Sequence, residues 1–181
     1  MEKREDRRIL MTKRMLKAAL IEMLKDKDIY HISIRELCEK ADVNRTTFYK
    51  YYGSQFDLLA DMENDLLMFM TQVIKKNEEN PKKVIIAACE YLEENQEFAK
   101  LIINNNVDPT FANRLFSVEV IRESFMHRFS ANKSEVEQEY IYHYLTYGIF
   151  RVVCVWLNKE KRESPQMLAK LIDRMLSHIS E

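Results

Sequence analysis

An all-α chain is predicted by three observations. Apolar residues recur at helical spacing from end to end, helix-start signals follow one another at regular intervals, and only two of the 181 residues are Gly and three are Pro. The two glycines, Gly53 and Gly148, lie 95 positions apart. Phosphate cradles, dinucleotide-binding turns and nucleophile elbows need closely spaced glycines and are excluded. Hairpin-rich β folds are disfavoured, because their tight turns need residues that accept positive φ. With 46% hydrophobic and 31% charged residues, the chain has enough apolar material for a real core, and about nine helices are expected.

Taken in order, the stripe Ile9, Leu16, Leu20, Met23 and Leu24 predicts a first helix over 6–26. Ser33-Ile-Arg-Glu36 is a capping box that opens a short second helix with Ile34, Leu37, Cys38 and Ala41 facing inward. Asp42 ends it, since Asp is one of the few non-glycine residues that enter the left-handed region used to close helices. Asn44 caps a third helix over 45–51, and a further box, Ser54-Gln-Phe-Asp57, opens a long fourth helix over 54–77. Later starts follow at Asn80-Pro81, Asn95, Asp108-Pro109, Ser134-Glu-Val-Glu137 and Ser164-Pro165, with each Pro at a first helical position. No repeat or low-complexity linker interrupts the pattern. Two domains are therefore expected, 6–60 and 61–181, joined directly by the fourth helix.

The longest apolar runs, Val84–Cys89 and Val152–Leu157, fall far short of the ~20 residues that span a bilayer. The segment Met1–Arg8 is charged and unlike a secretory signal. Cys38, Cys89 and Cys154 are widely spaced in apolar contexts and read as reduced core residues. A cytoplasmic protein with no membrane partner is expected. Its net charge of -1 averages two unlike parts: residues 1–52 hold 13 Lys and Arg against 9 Asp and Glu, and residues 53–181 hold 15 against 20. A basic head on an acidic body suits an anionic partner for the head, nucleic acid being the commonest.

Two short helices separated by Asp42-Val43-Asn44 form a helix-turn-helix, whose second helix lies in the DNA major groove when the motif reads sequence. Arg45, Thr46, Thr47, Tyr49 and Lys50 give that helix a donor-rich exposed side, while Phe48 and Tyr52 pack back on the first two helices. The same geometry also serves as plain scaffold in proteins that never touch DNA.

Leu16, Ala18-Ala19, Ile32-Ser33-Ile34, Leu37, Ala41-Asp42-Val43 and Thr47-Phe48-Tyr49-Lys50-Tyr51-Tyr52, followed by Ser54 and Asp57-Leu58-Leu59, resemble the signature of TetR-type helix-turn-helix transcriptional regulators over residues 6–60. Two positions depart from that pattern: Asp42 stands where glycine is usual, and Gln55 where lysine is usual. The resemblance implies base-edge contacts from Arg35, Arg45, Thr46 and Thr47. It also implies phosphate contacts from Ser33, Tyr49, Lys50 and Tyr51, with Gln55 a neutral substitute. These roles suit the chemistry: Arg grips guanine with two bonds, a Thr methyl meets the thymine methyl, and Lys and Tyr donate to phosphate oxygens.

In the body, Tyr144-Leu-Thr-Tyr147-Gly148 leading to Trp156-Leu157 resembles the penultimate helix of a branch of these regulators common in Gram-positive bacteria. That resemblance implies dimerisation through the last two helices and, in some members, a small-molecule effector. The stripe Leu168, Leu171, Ile172, Met175 and Ile179 is more than one subunit is expected to bury, and a mid-helix Gly148 is costly unless another backbone comes close. Both point to a homodimer, whose two heads would meet half-sites of a palindromic operator in double-stranded DNA. Phe69, Tyr91, Phe98, Phe111, Phe116, Phe125 and Tyr144 are candidates to line an effector cavity, with Met68, Met70 and Met126 adapting its shape. Arg114 and Arg122 are candidates to meet an anionic ligand. Aromatic residues at this spacing also make plain core.

Glu139 and His143 lack the further ligands that would complete a metal site, and no activated nucleophile or paired catalytic carboxylate is visible. No enzyme activity, cofactor or metal is expected. The chain reads as a ligand-responsive, DNA-binding repressor; the rival reading is a helical adaptor that keeps the helix-turn-helix as scaffold.

Overall fold

A computed structural model describes residues 2–77, 80–103, 107–129 and 133–177, and the side chains of all of these except 2–6 and 127–129. Every regular element among them is helical: α1 (Glu2–Leu24), a 3-10 turn (Ile29–His31), α2 (Ile34–Ala41), α3 (Arg45–Tyr49), α4 (Gln55–Lys76), α5 (Pro81–Glu94), α6 (Gln96–Ile103), α7 (Phe111–Phe116), α8 (Glu119–Phe129), α9 (Glu135–Leu157) and α10 (Pro165–Ser177). The chain divides into two compact units, Met1–Leu66 and Leu67–Glu181, with the division inside α4. None of the described helices is long and apolar enough to cross a membrane.

In the first unit α1 packs on α2 and α2 on α3. Leu16 and Leu20 of α1, Leu37 of α2, Phe48 of α3 and Leu58 of α4 are fully buried. Local chemistry sets the boundaries. Ser33 and Glu36 satisfy each other's backbone N–H groups in a complete capping box. Asp42 takes φ 51° and ψ 43°, the left-handed cap that its short polar side chain tolerates. Asn44 then accepts from the Thr46 N–H at 2.8 Å. At the start of α4, Ser54 accepts from the Asp57 N–H, but the Asp57 carboxylate reaches the Gly53 N–H at 2.9 Å rather than that of Ser54. A Cβ on Gly53 would stand 2.9 Å from that carboxylate oxygen, a contact that a shift of the Asp57 side chain relieves.

In the second unit α10 packs against α5 and α9, and α9 also meets α6, α7 and α8. Trp156, Leu157, Ile172 and Cys89 are fully buried, and Leu92, Ala99, Ile103, Leu145, Cys154, Leu168 and Leu176 complete their cluster. The Trp156 indole donates to the Glu163 carbonyl at 2.7 Å, and the Arg162 guanidinium lies over its ring and 3.5 Å from Glu93. The α9–α10 turn is thereby tied to α5. Cys38, Cys89 and Cys154 are all free and buried. Burial raises each thiol's pKa, that of Cys89 to about 12.

Several expectations need correction. Asn95 ends α5: its amide donates to the Tyr91 carbonyl, so its side chain turns back rather than capping α6. Asp108 and Pro109 precede α7 without starting it; Asp108 accepts from both the Thr110 N–H and hydroxyl, and the helix begins two residues after the proline. The segment expected as one seventh helix breaks at Ser117 and Val118, where the Ser117 hydroxyl donates to the Asn113 carbonyl, giving ten α-helices among the described residues. The apolar stripe of α10 splits in two. Leu168 and Ile172 are buried in their own subunit by α5 and α9, so they are not partner-facing, whereas Leu171 is partly covered and Met175 exposed. Ile179 lies outside the described residues.

Candidate nucleic-acid interface

The turn between α2 and α3 is fixed by three backbone-directed bonds. The Val43 N–H donates to the Cys38 carbonyl at 3.0 Å, the Thr47 N–H to the Asn44 carbonyl at 2.9 Å, and Asn44 caps α3 through its side chain. α3 is one turn and a half, too short to hold its own direction. Its anchors are Phe48, wholly buried, with the Tyr49 ring edge-on and the Tyr52 ring tilted against it. Burying Phe48 sends its neighbours outward: Arg45, Thr46, Tyr49 and Lys50 are exposed, and Thr47 and Tyr51 partly so. Arg35, Asn44, Arg45, Thr46, Tyr49 and Lys50 line one open groove of about 1050 Å³, with Glu39 and Asp42 on its wall.

Ser33 sits at the N-terminus of α2, its hydroxyl engaged with Glu36, and the Lys27 ammonium lies 2.8 Å from the same carboxylate. The Lys27 ammonium and the Ser33 donors hold the Glu36 pKa at about 2. Arg35 pairs with Glu39 at 2.8 Å on the solvent side. Surface pairs of this kind are weak, so an incoming acceptor can displace Glu39. The Lys50 ammonium lies 5.9 Å from the Tyr51 ring centre, leaving cation and aromatic face side by side. Gln55 does not face outward as a phosphate donor: it is partly buried and its amide points to the Ile29 carbonyl at 3.4 Å.

Two features of this unit escape sequence reasoning. Tyr30, 77% exposed, packs on Phe56 at 5.2 Å between ring centres. The Tyr52 hydroxyl donates to Asp61 of α4 at 2.8 Å, and Lys17 of α1 lies 2.8 Å from Asp61 and 2.6 Å from Asp65. Burial pulls the Asp61 carboxyl upward, but the bonds from Lys17 and Tyr52 outweigh it and leave its pKa lowered. Burial, then the neighbouring Asp61, raises the Tyr52 phenol. Neither pair follows a helical spacing, so no local pattern marks them.

In the body the expected pocket residues separate. Phe98 and Phe111 are buried as core, and Tyr144 is 72% exposed on α9, so it does not line an enclosed cavity. Phe69 and Tyr91 stack at 4.1 Å; Phe125 packs partly buried against the core cluster. Phe116 meets Tyr147 and Phe150, Met68 is exposed, and Met70 and Met126 are partly buried. Arg114 and Arg122 fall on different helices. Arg114 pairs with Asp108 at 2.6 Å, and Arg122 lies over the Tyr142 ring. The described residues contain no group of three or more His, Cys, Asp or Glu placed to hold a metal ion.

Residues 79–178, more than half of the chain, match the model of a TetR regulator family described as a transcriptional regulator C-terminal region. The HTH-type transcriptional regulator YxbF of Bacillus subtilis (strain 168) is 22% identical over 170 residues, covering 90% of this chain and 44% of that protein. The chain thus spans less than half the length of that curated relative. A TetR transcriptional regulator from Streptococcus agalactiae 2603V has a similar structure, with TM-score 0.70 and 21% identity over the whole of both chains. The Thermus thermophilus FadR repressor, solved with lauroyl-CoA, matches at TM-score 0.61 and 16% identity over 93% of this chain and 95% of that one. These likenesses show a shared fold.

Proposed function

The chain belongs to the TetR family of transcriptional regulators, and on that premise we propose that it reads double-stranded DNA through α3, laid in the major groove. The observation that carries this reading is the single-sided composition of α3. Phe48 is the buried anchor, and Arg45, Thr46, Tyr49 and Lys50 together face one open groove. Arg35 and Arg45 offer planar forks to base edges, Thr46 and Thr47 offer methyl groups, and Ser33, Tyr49, Lys50 and Tyr51 offer donors to phosphate. A shift assay with the DNA flanking its own gene, repeated from about 50 to 200 mM salt, tests it. Affinity falling steeply and linearly on a log–log plot supports the reading; a slope near zero favours the adaptor alternative.

The active species in this proposal is a homodimer on a palindromic operator. Val136, Tyr140 and Tyr144 of α9 are 62%, 70% and 72% exposed at steps of four residues, and Val155 continues the same side. Gly148 lies within this face, and a Cβ there would meet nothing within 4 Å. Among the described residues the close approach expected at Gly148 is therefore absent, and the proposed dimer would supply it from a second copy. Leu171 and Met175, with Met167, give α10 an outward row beside its buried one. Sedimentation showing only monomer at micromolar concentration would overturn the dimer. A small-molecule effector is proposed for the body, where the stacked, partly buried Phe69 and Tyr91 are candidate aromatic contacts. A regulator so built would act as a ligand-responsive repressor, with effector and DNA favouring different conformations.

A further inference from the structure

We propose that Asp61 is a positioning residue for operator reading: through the Tyr52 hydroxyl it sets the rotation of the recognition helix α3 against α4. The inference rests on the DNA-reading proposal above and concerns residues that do not touch DNA in it.

α3 has two anchors of different kinds. Phe48 is fully buried and fixes how deep the helix sits, but apolar burial is non-directional and tolerates rotation about the ring. Tyr52 supplies the direction. Its N–H donates to the Phe48 carbonyl at 3.0 Å, which ties it rigidly to the end of α3, and its hydroxyl donates to Asp61 at 2.8 Å. A hydrogen bond weakens steeply as its angle degrades, so this contact resists the swing that Phe48 permits. The acceptor is itself held. Lys17 lies 2.8 Å from the same Asp61 oxygen and 2.6 Å from Asp65, and Lys13 lies 3.7 Å from Asp61 and 5.3 Å from the centre of the Tyr52 ring.

α1, α3 and α4 thus converge on one carboxylate. A phenylalanine at position 52 would bury the same ring without drawing a carboxylate toward the interior, where charge is costly. The hydroxyl therefore adds orientation more than burial. Arg45 and Thr46 stand about two turns back along the same segment, where a small rotation is magnified at the side-chain tips; bidentate contact with a base edge does not survive such a displacement, while phosphate attraction does.

The test uses a duplex enriched from a random-sequence pool by the wild-type chain, and a scrambled duplex of the same composition. Tyr52→Phe and Asp61→Asn are each expected to weaken the enriched duplex by roughly five- to tenfold and leave the scrambled duplex within about twofold. The double variant should be no weaker than the worse single one. Hydrogen exchange without DNA should quicken at 46–50 in Tyr52→Phe and stay unchanged at 37–41, a readout that holds even if one variant is poorly stable. Equal loss on both duplexes, additive single effects, or unchanged exchange at 46–50 would overturn the positioning role while DNA reading stands. A wild-type chain that enriches no sequence, with Arg45→Ala indistinguishable from it, would sink DNA reading and the positioning role with it.

Discussion

The candidate interfaces of the two units differ in chemistry. The first turns its aromatic anchors Phe48 and Tyr52 inward and presents Arg35, Arg45, Thr46 and Lys50 to solvent, with polar bonds fixing each turn. The second buries most of its core side chains, yet leaves a row of tyrosine and valine on α9 and methionine on α10 uncovered. In the proposed reading, partners for the first are selected by charge and direction, and partners for the second by apolar area and shape. The contrast predicts that salt separates the two: DNA affinity should fall by orders of magnitude between about 50 and 200 mM, while self-association through α9 and α10 should hold or strengthen.

Substitutions sharpen or break this contrast, beginning with the largest effect. Phe48→Ala should cost about 3–5 kcal/mol of stability by emptying a fully buried site, read from urea unfolding, and should abolish DNA binding. Replacing Tyr140 and Tyr144 together by Asp should raise the dimer dissociation constant at least about 30-fold, on the scale of interface hot spots, without unfolding the subunit, because both are exposed; an unchanged sedimentation profile would remove α9 from the interface. Arg45→Ala should cost about 1–3 kcal/mol on the preferred duplex and relax preference locally, whereas Lys50→Ala should weaken all sequences alike and reduce the salt slope by about 1. If both variants lost specific and non-specific binding in equal proportion, the division into base and phosphate contacts would fail.

The smallest effect is a pH dependence confined to the first unit. The Glu36 pKa is held at about 2, chiefly by Lys27 and then by Ser33, against an ordinary 4.5. A carboxylate so depressed stabilises the fold above the ordinary value, and that contribution is lost as pH falls from about 4.5 toward 2. The thermal midpoint advantage of wild type over Glu36→Gln should therefore shrink across that window, and a constant difference would contradict it.

The first unit was legible because its signals are local. The Ser33–Glu36 box, the Asp42 cap and the Asn44 cap each act within a few residues, so the helix-turn-helix and its exposed residues follow from adjacent positions. What stayed hidden there crosses between helices: the Tyr52–Asp61 bond and the inward turn of Gln55 depend on where α4 packs. In the second unit the starts at Pro81, Ser134 and Pro165 were legible for the same local reason. The faces were not. Leu168 and Leu171 are equally apolar, and only packing on α5 and α9 decides that the first is core and the second lies on the outward row. Tyr144 likewise reads as a cavity residue until the helix is placed and its ring is found in solvent.

The three buried cysteines have a practical corollary. Their thiols are sheltered from solvent and their pKa values lie above the usual thiol range, so at neutral pH they should react slowly with maleimide reagents. A single cysteine introduced at an exposed position outside the proposed contacts, such as Glu22 on α1, would then accept one fluorophore or spin label per chain without first stripping the native thiols. If the proposed dimer forms, distances between two such labels, measured free and on DNA, would report how far apart its two first units stand.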